Sequence, residues 1–217
     1  MASQMNEMQF AEDGIGVRLR DFYTRVRHRL RGHNKRQVFV ALFSRESHTV
    51  MRTQPRREMY HDDFLWSILI RPKHRKGSDA LCVQVRSTVP EPVPRDIHGR
   101  PWRLEMFSNY EPKQSLRYLG EFMIGKLPNN LHTSVLYHLF ASVPLPRPDA
   151  LDPENGVTWM ENAIWRLQQG KLVDQFDINR FMDECKYYAT AMVHQREYWP
   201  PSREEGAPSF NYTLRPR

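Results

Sequence analysis

The apolar residues of the chain follow two different periods, one in each half. In the first half, short segments rich in branched and aromatic residues are separated by polar or Pro-rich turns, which predicts strands. The clearest segments are residues 38–43, 64–71, 80–87 and 102–107, with 117–124 as a fifth. In the third of these, apolar and polar residues alternate, as they do in a half-buried strand. The first half therefore predicts a sheet of about five strands.

From Leu127 onward the apolar residues recur with the period of a helix. Asn and Asp side chains can cap helix N-termini, and they mark three starts: Asn129 or Asn130 for the first helix, Asp152 before Pro153 for the second, and Asp174 or Asp177 for the third. The second helix has its expected buried stripe at Val157, Met160, Ile164 and Leu167 and is expected to end at Gly170. The second half therefore predicts three helices.

Strands followed by helices predict an α+β fold, an antiparallel sheet of about five strands packed against three C-terminal helices. A chain of 217 residues suits one domain, which we place at residues 37–198, with a flexible tail at 199–217. Residues 1–36 form a basic N-terminal extension with eight Lys and Arg against four Asp and Glu. An apolar stripe from Leu19 to Leu30 predicts that this extension is partly helical.

The formal charge of the chain is +7, which permits a nucleic acid, an anionic surface or an acidic protein as a partner but selects none of them. The beginning of the chain is polar and acidic, and there are only two cysteines. We therefore expect an intracellular protein, cytoplasmic or nuclear, without a disulfide framework. The longest apolar runs are too short to cross a bilayer, so no transmembrane segment is expected.

Two basic segments are candidate binding surfaces. The first is the N-terminal helix, with the basic residues Arg25, Arg27, Arg29 and Arg31. The second is a turn between two strands, with Arg71, Lys73, Arg75 and Lys76. Either segment could contact phosphates, and each has the alternative interpretation of a solvated surface. The histidines and cysteines lack the spacing of zinc ligands, so we expect neither a metal nor a cofactor.

Two segments make the order of strands and helices more specific. They are Phe64–Ile70, with the sequence FLWSILI, and Asn155–Met160, with the sequence NGVTWM. Together with Gly77 and the segments 119–127, 143–146 and 165–172, they resemble a family of small fungal proteins of poorly defined function. Members of that family have a His-Trp strand and a helix that begins Asn-Cys-x-x-Trp. This pattern is similar to the permuted, papain-like NlpC-type peptidases and to the lecithin:retinol acyltransferase group.

The resemblance implies a His on a strand facing a Cys at a helix start. A helix N-terminus lowers the pKa of a thiol, and a nearby imidazole can take its proton. Here Leu65 occupies the position of the histidine and Gly156 that of the cysteine. Neither residue can transfer a proton, so the resemblance implies a degenerate site. Its remaining candidate binding residues are Trp66, Asn155, Thr158 and Trp159.

The first hypothesis is therefore a non-catalytic, papain-like module, a pseudoenzyme, that binds a protein partner or a ligand. The second is a hydrolase or acyltransferase whose nucleophile has moved to another position. The third is a nucleic-acid binding protein that uses the basic N-terminal helix.

Overall fold

The computed structural model describes residues 35–45, 58–73, 80–87, 102–128, 131–147, 150–151, 154–198 and 207–214. Within these ranges, strands and helices form one α+β arrangement. The strands are β1 (Lys35–Ser44), β2 (Phe64–Pro72), β3 (Ala80–Ser87), β4 (Trp102–Tyr110), β5 (Tyr118–Pro128) and β6 (Ser209–Asn211). The helices are α1 (Thr133–Ala141), α2 (Gly156–Gln169) and α3 (Ile178–Tyr198).

The strands form one mixed sheet in the order β4-β3-β2-β1-β5-β6. All neighbouring strands are antiparallel except β5 and β6, which are parallel. The strand β1 pairs with β2 on one side and with β5 on the other, so that Val40 lies opposite both Ile68 and Phe122. Its middle residues are apolar at consecutive positions, as expected for a strand that is covered on both faces.

Successive side chains of a strand point to opposite faces of the sheet, which gives this protein two separate apolar clusters. One face carries Val40 and Ile68 and packs against the three helices in the main core. The other face carries Phe39 and Leu69 in a smaller cluster. The alternation along β2 therefore decides which of its residues can approach a helix.

Side-chain caps fix the starts of the helices. Asn155 caps α2, since its side-chain oxygen accepts from the backbone N–H of Val157 at 2.8 Å and of Thr158 at 3.4 Å. Asp177 precedes α3 and accepts from the backbone N–H of Arg180 at 2.9 Å. The prediction of Asp177 is confirmed, while that of Asp152 is wrong because the cap lies three residues later.

The first helix also begins later than predicted. His132 is its N-cap and accepts from the backbone N–H of Ser134, so neither Asn129 nor Asn130 has that role. The predicted stripe of α2 is confirmed: Val157, Met160, Ile164 and Leu167 are all buried.

The α+β class and the three C-terminal helices of the prediction are confirmed, whereas the sheet is mixed and has six strands in the described ranges. The predicted N-terminal helix falls in residues 1–34, outside the described part. Part of the expected tail instead forms β6, because Phe210 stacks on Phe122 at 5.0 Å and meets Tyr188 edge to face at 4.5 Å. None of the helices in the described ranges has the length and apolarity to cross a membrane.

Candidate functional site

Gly156 is the first residue of α2, directly after the capping residue Asn155. A Cβ atom at this position would lie 3.6 Å from the ring of Trp102, 3.8 Å from Val85 and 3.9 Å from a guanidinium nitrogen of Arg45. These are ordinary contact distances, so the start of α2 has room for a side chain. Because Val85 belongs to the main core and Trp102 packs against it, this position lies on the helix-bearing face of the sheet.

Leu65 lies on the other face of the sheet. It packs against the smaller cluster, and its partner in the register of β1 and β2 is Phe43, a member of that cluster. Its neighbours Phe64 and Trp66 belong to the main core. The structure therefore does not bring Leu65 and Gly156 together, because the side chain of Leu65 and the start of α2 lie on opposite faces of the sheet.

The two tryptophans among the candidate residues have structural roles. Trp66 is 3% exposed, and its indole N–H donates to the backbone oxygen of His61 at 2.8 Å. Trp159 is 1% exposed and packs against Phe140 with ring centroids 6.3 Å apart. Thr158 belongs to the cap of α2, where its hydroxyl accepts from the backbone N–H of Asn155 at 3.4 Å. None of these side chains forms an open binding surface.

His61 and Asp183 form a contact that the sequence did not predict. His61 precedes β2, its ring stacks on Trp66 at 6.2 Å, and its Nε2 lies 3.2 Å from Oδ1 of Asp183 on α3. Burial lowers the pKa of His61 from its usual 6.5, and nearby Lys186 lowers it further, while Asp183 raises it. Since burial is the largest effect, the imidazole is neutral at pH 7 and links the sheet to α3.

Neither cysteine has the properties of a nucleophile. Cys82 and Cys185 are both buried. Burial raises the pKa of Cys82 to about 12 and raises the pKa of Cys185 well above its ordinary value. Both thiols are therefore protonated at neutral pH, and the thiolate is the reactive form of cysteine.

The basic turn after β2 is only partly described. Arg71 forms a bidentate ion pair with Glu121 on β5, and its guanidinium lies 4.1 Å from the ring centroid of Phe39. Arg71 was a candidate phosphate contact, but its side chain is largely buried on the second face of the sheet and is paired with Glu121. Lys73 is exposed. Four predicted basic residues of the N-terminal helix and two of the turn lie outside the described ranges, namely Arg25, Arg27, Arg29, Arg31, Arg75 and Lys76.

An open groove lies between the outer face of α2 and the beginning of α3. Its volume is about 390 Å³, and its lining comprises Glu161, Asn162, Trp165, Gln168, Phe176, Ile178 and Asn179. Trp165 is 48% exposed, which is unusual for the largest apolar side chain. The groove therefore combines aromatic surface with amides and one carboxylate.

Gln168 holds the two walls of the groove together. Its side-chain amide is almost fully buried and donates to the backbone oxygens of Asp174 at 3.3 Å and Phe176 at 3.0 Å. The side chain of Gln175 donates back to the backbone oxygen of Gln168 at 2.8 Å. The ring of Phe176 packs against that of Phe181, with ring centroids 5.0 Å apart. The groove is therefore formed before any ligand enters.

Glu161 lies on the same face of α2 as Trp165, one helical turn earlier. It is half-buried, and within the described part of the chain its carboxylate has neither an ion pair nor a hydrogen bond. Burial raises the pKa of this carboxyl. This site was not predicted from the sequence, although a Trp on the polar face of a helix with a well-defined buried stripe can indicate one.

The described residues hold no group of three or more His, Cys, Asp or Glu that could bind a metal ion. Residues 35–212 match the model of a family of unknown function (DUF6914). The chain belongs to this family. The match begins at β1 and ends just after β6, so the family includes the whole sheet and all three helices. The searches of curated proteins and of solved structures each gave no match.

Proposed function

We propose that this protein is a non-catalytic binding module that holds a segment of a protein partner in the groove between α2 and α3. The observation that carries the proposal is the exposed Trp165 beside the half-buried Glu161 in a groove whose walls are already fixed. Exposed tryptophans in preformed grooves are among the residues that contribute most to protein association. A fixed wall also reduces the entropy that is lost on binding.

The shape of the groove favours a protein segment over an enclosed small molecule. Sites for small ligands generally bury most of the ligand surface. This groove is open to solvent, and amide side chains from both helices, Asn162 and Asn179, line it. Amides of this kind can exchange hydrogen bonds with an extended backbone.

The two buried cysteines support a function without covalent chemistry, since their raised pKa values keep them protonated. The start of α2 supports it as well, because Gly156 has no side chain. We also propose, from the resemblance to permuted papain-like proteins, that Gly156 marks a lost nucleophile. The room for a Cβ atom there supports this proposal, and the position of Leu65 on the opposite face argues against the matching histidine.

A screen with a random peptide display library tests the binding function. Peptides selected on the full chain should lose binding to Trp165→Ala and keep it on Tyr187→Ala, a matched variant that removes another exposed aromatic residue. The same peptides should remain chemically intact after long incubation with the protein. Selected peptides that bind both variants equally would place the binding surface elsewhere. Peptide cleavage that co-purifies with the protein would contradict the non-catalytic function.

A random oligonucleotide serves as the counter-probe for the nucleic-acid alternative. Arg71 is engaged with Glu121, which weakens this alternative at the turn after β2. Phosphate contacts would make oligonucleotide binding fall steeply as salt increases. Tight, salt-sensitive oligonucleotide binding that persists in Trp165→Ala would favour the nucleic-acid function over the proposed one.

A further inference from the structure

We propose that the groove recognises a positively charged group, a Lys or Arg side chain of the bound segment, held between the carboxylate of Glu161 and the ring of Trp165. This inference rests on the proposed function, because it names the chemistry that the same groove selects. Three features of the described residues support it.

The first feature is the environment of the Glu161 carboxylate. Buried carboxylates are normally paired, because removing a charge from water is costly. The buried carboxylates in the described part obey this rule: Asp63 accepts from the backbone N–H of Tyr60, and Glu105 and Glu121 pair with arginines. Glu161 is half-buried and has no such partner among the described residues. A cation supplied by a ligand would complete the pattern.

The second feature is the position of the aromatic ring. On a helix, residues four positions apart have Cβ atoms about 5–6 Å from each other, so Glu161 and Trp165 can contact one cation together. The face of a tryptophan ring attracts cations, and tryptophan does so more strongly than the other aromatic residues. A carboxylate on one side and an aromatic face on the other suit an ammonium or a guanidinium group.

The third feature is a cation that the chain itself places on this ring. The guanidinium of Arg166 lies 5.6 Å from the ring centroid of Trp165. Arg166 is exposed, so this intramolecular contact is weak and can be exchanged. Its presence indicates that the ring is accessible to a positive group. We therefore expect Arg166→Gln to strengthen the binding of a cationic ligand or to leave it unchanged.

The inference can be tested by NMR titration of the full chain, following the Trp165 indole N–H, which the Trp165→Phe variant assigns. The probes are n-butylammonium, n-butylguanidinium, the neutral 1-pentanol, and two five-residue peptides with Lys or norleucine between glycines. The two cations and the Lys peptide should shift the Trp165 signal, and the neutral probes should not. Glu161→Gln should weaken the binding of the Lys peptide to the protein about tenfold. Glu58→Gln, a matched loss of an exposed carboxylate outside the groove, should have no effect.

The outcomes separate this inference from the proposed function. Equal binding of the norleucine and Lys peptides at Trp165 would overturn the cation inference and leave the binding module intact. Equal affinity of the Lys peptide and n-butylammonium would assign the site to a free alkylammonium and overturn its assignment to a protein segment. If none of the probes shifts Trp165, and the display screen also yields no peptide that depends on Trp165, the proposed function itself fails.

Discussion

Installing a cysteine at the start of α2 tests how this position is built. In Gly156→Cys, the nearest heavy atoms to the new Cβ lie 3.6 to 3.9 Å away, so we expect the variant to fold. The introduced thiol would lie at a helix N-terminus and close to the guanidinium of Arg45. Both features favour the thiolate over the thiol.

The distance of 3.9 Å between the new Cβ and a guanidinium nitrogen of Arg45 sets the scale of this effect. Unit charges about 4 Å apart interact by about 4 kcal/mol at an effective dielectric constant of about 20. Arg45 also donates to the backbone oxygen of Phe64 at 3.2 Å and is half-buried, so water and this second contact reduce its interaction with the thiolate. We therefore assign the interaction about one third of this energy. About 1.4 kcal/mol corresponds to a tenfold change in the ionisation equilibrium. The pKa of the introduced thiol should therefore lie at least about one unit below the ordinary value of about 8.5.

The rate of alkylation by iodoacetamide as a function of pH measures this pKa. The wild-type chain is the first control, because its two cysteines are buried and should not react. Ser108→Cys, on the exposed part of β4, supplies a thiol in an ordinary environment. A thiol pKa in Gly156→Cys at or above that in Ser108→Cys would refute the geometry assigned to Arg45 and the start of α2.

Adding Leu65→His to Gly156→Cys asks whether the two matching positions can cooperate. Because Leu65 lies on the opposite face of the sheet, the alkylation profile should not change and no ester hydrolysis should appear. A new hydrolase activity in the double variant, with a bell-shaped pH profile, would show that the two residues meet. That result would contradict the topology described for β2.

Three further variants test the packing and the electrostatics of the fold. Gly125→Ala would place a Cβ atom 2.6 Å from Cα of Val173, so the free energy of unfolding in urea should fall by about 3 kcal/mol. The control Gly170→Ala has no contact that close and should leave the free energy of unfolding almost unchanged. Equal losses in the two variants would contradict the close packing of β5. Because the pKa of His61 is lowered in the folded chain, the unfolded chain binds this proton at a higher pH than the folded chain does. The stability of the wild-type protein should therefore decrease as the pH falls below 6.5, and His61→Gln should remove this contribution to the pH dependence of stability. Glu161→Gln should increase stability at pH 7 by less than about 1 kcal/mol, since a half-buried carboxylate with a raised pKa is destabilising when ionised; a loss of stability would indicate a structural role instead.

Local patterns in the sequence were sufficient for the number of C-terminal helices and for most of the sheet, but not for the starts of α1 and α2. The buried stripe of α2 can be predicted from helical periodicity alone. The longer strands can be predicted from short runs of branched and aromatic residues. The strand β6 was missed because it has three residues and is held by Phe210 packing against Phe122, distant in sequence. A contact of that kind leaves no local periodicity.

The functional residues were harder to predict for the same reason. The sequence around Arg71 predicts a basic turn, but its partner Glu121 is 50 positions away and on a different strand. Gly156 and Leu65 were paired by resemblance, which carries no information about the face of the sheet. The alternation of β2 gave the relevant signal, since Leu65 is one residue out of phase with Phe64 and Trp66.

The affinity of a selected peptide for the wild-type chain and for Trp165→Ala, measured by isothermal titration calorimetry, tests the proposed binding function most directly. Loss of an exposed tryptophan that lines a binding groove should weaken the complex by about 2 kcal/mol or more, roughly thirtyfold, without changing the fold. An unchanged affinity in Trp165→Ala would contradict the assignment of the groove between α2 and α3 as the binding site.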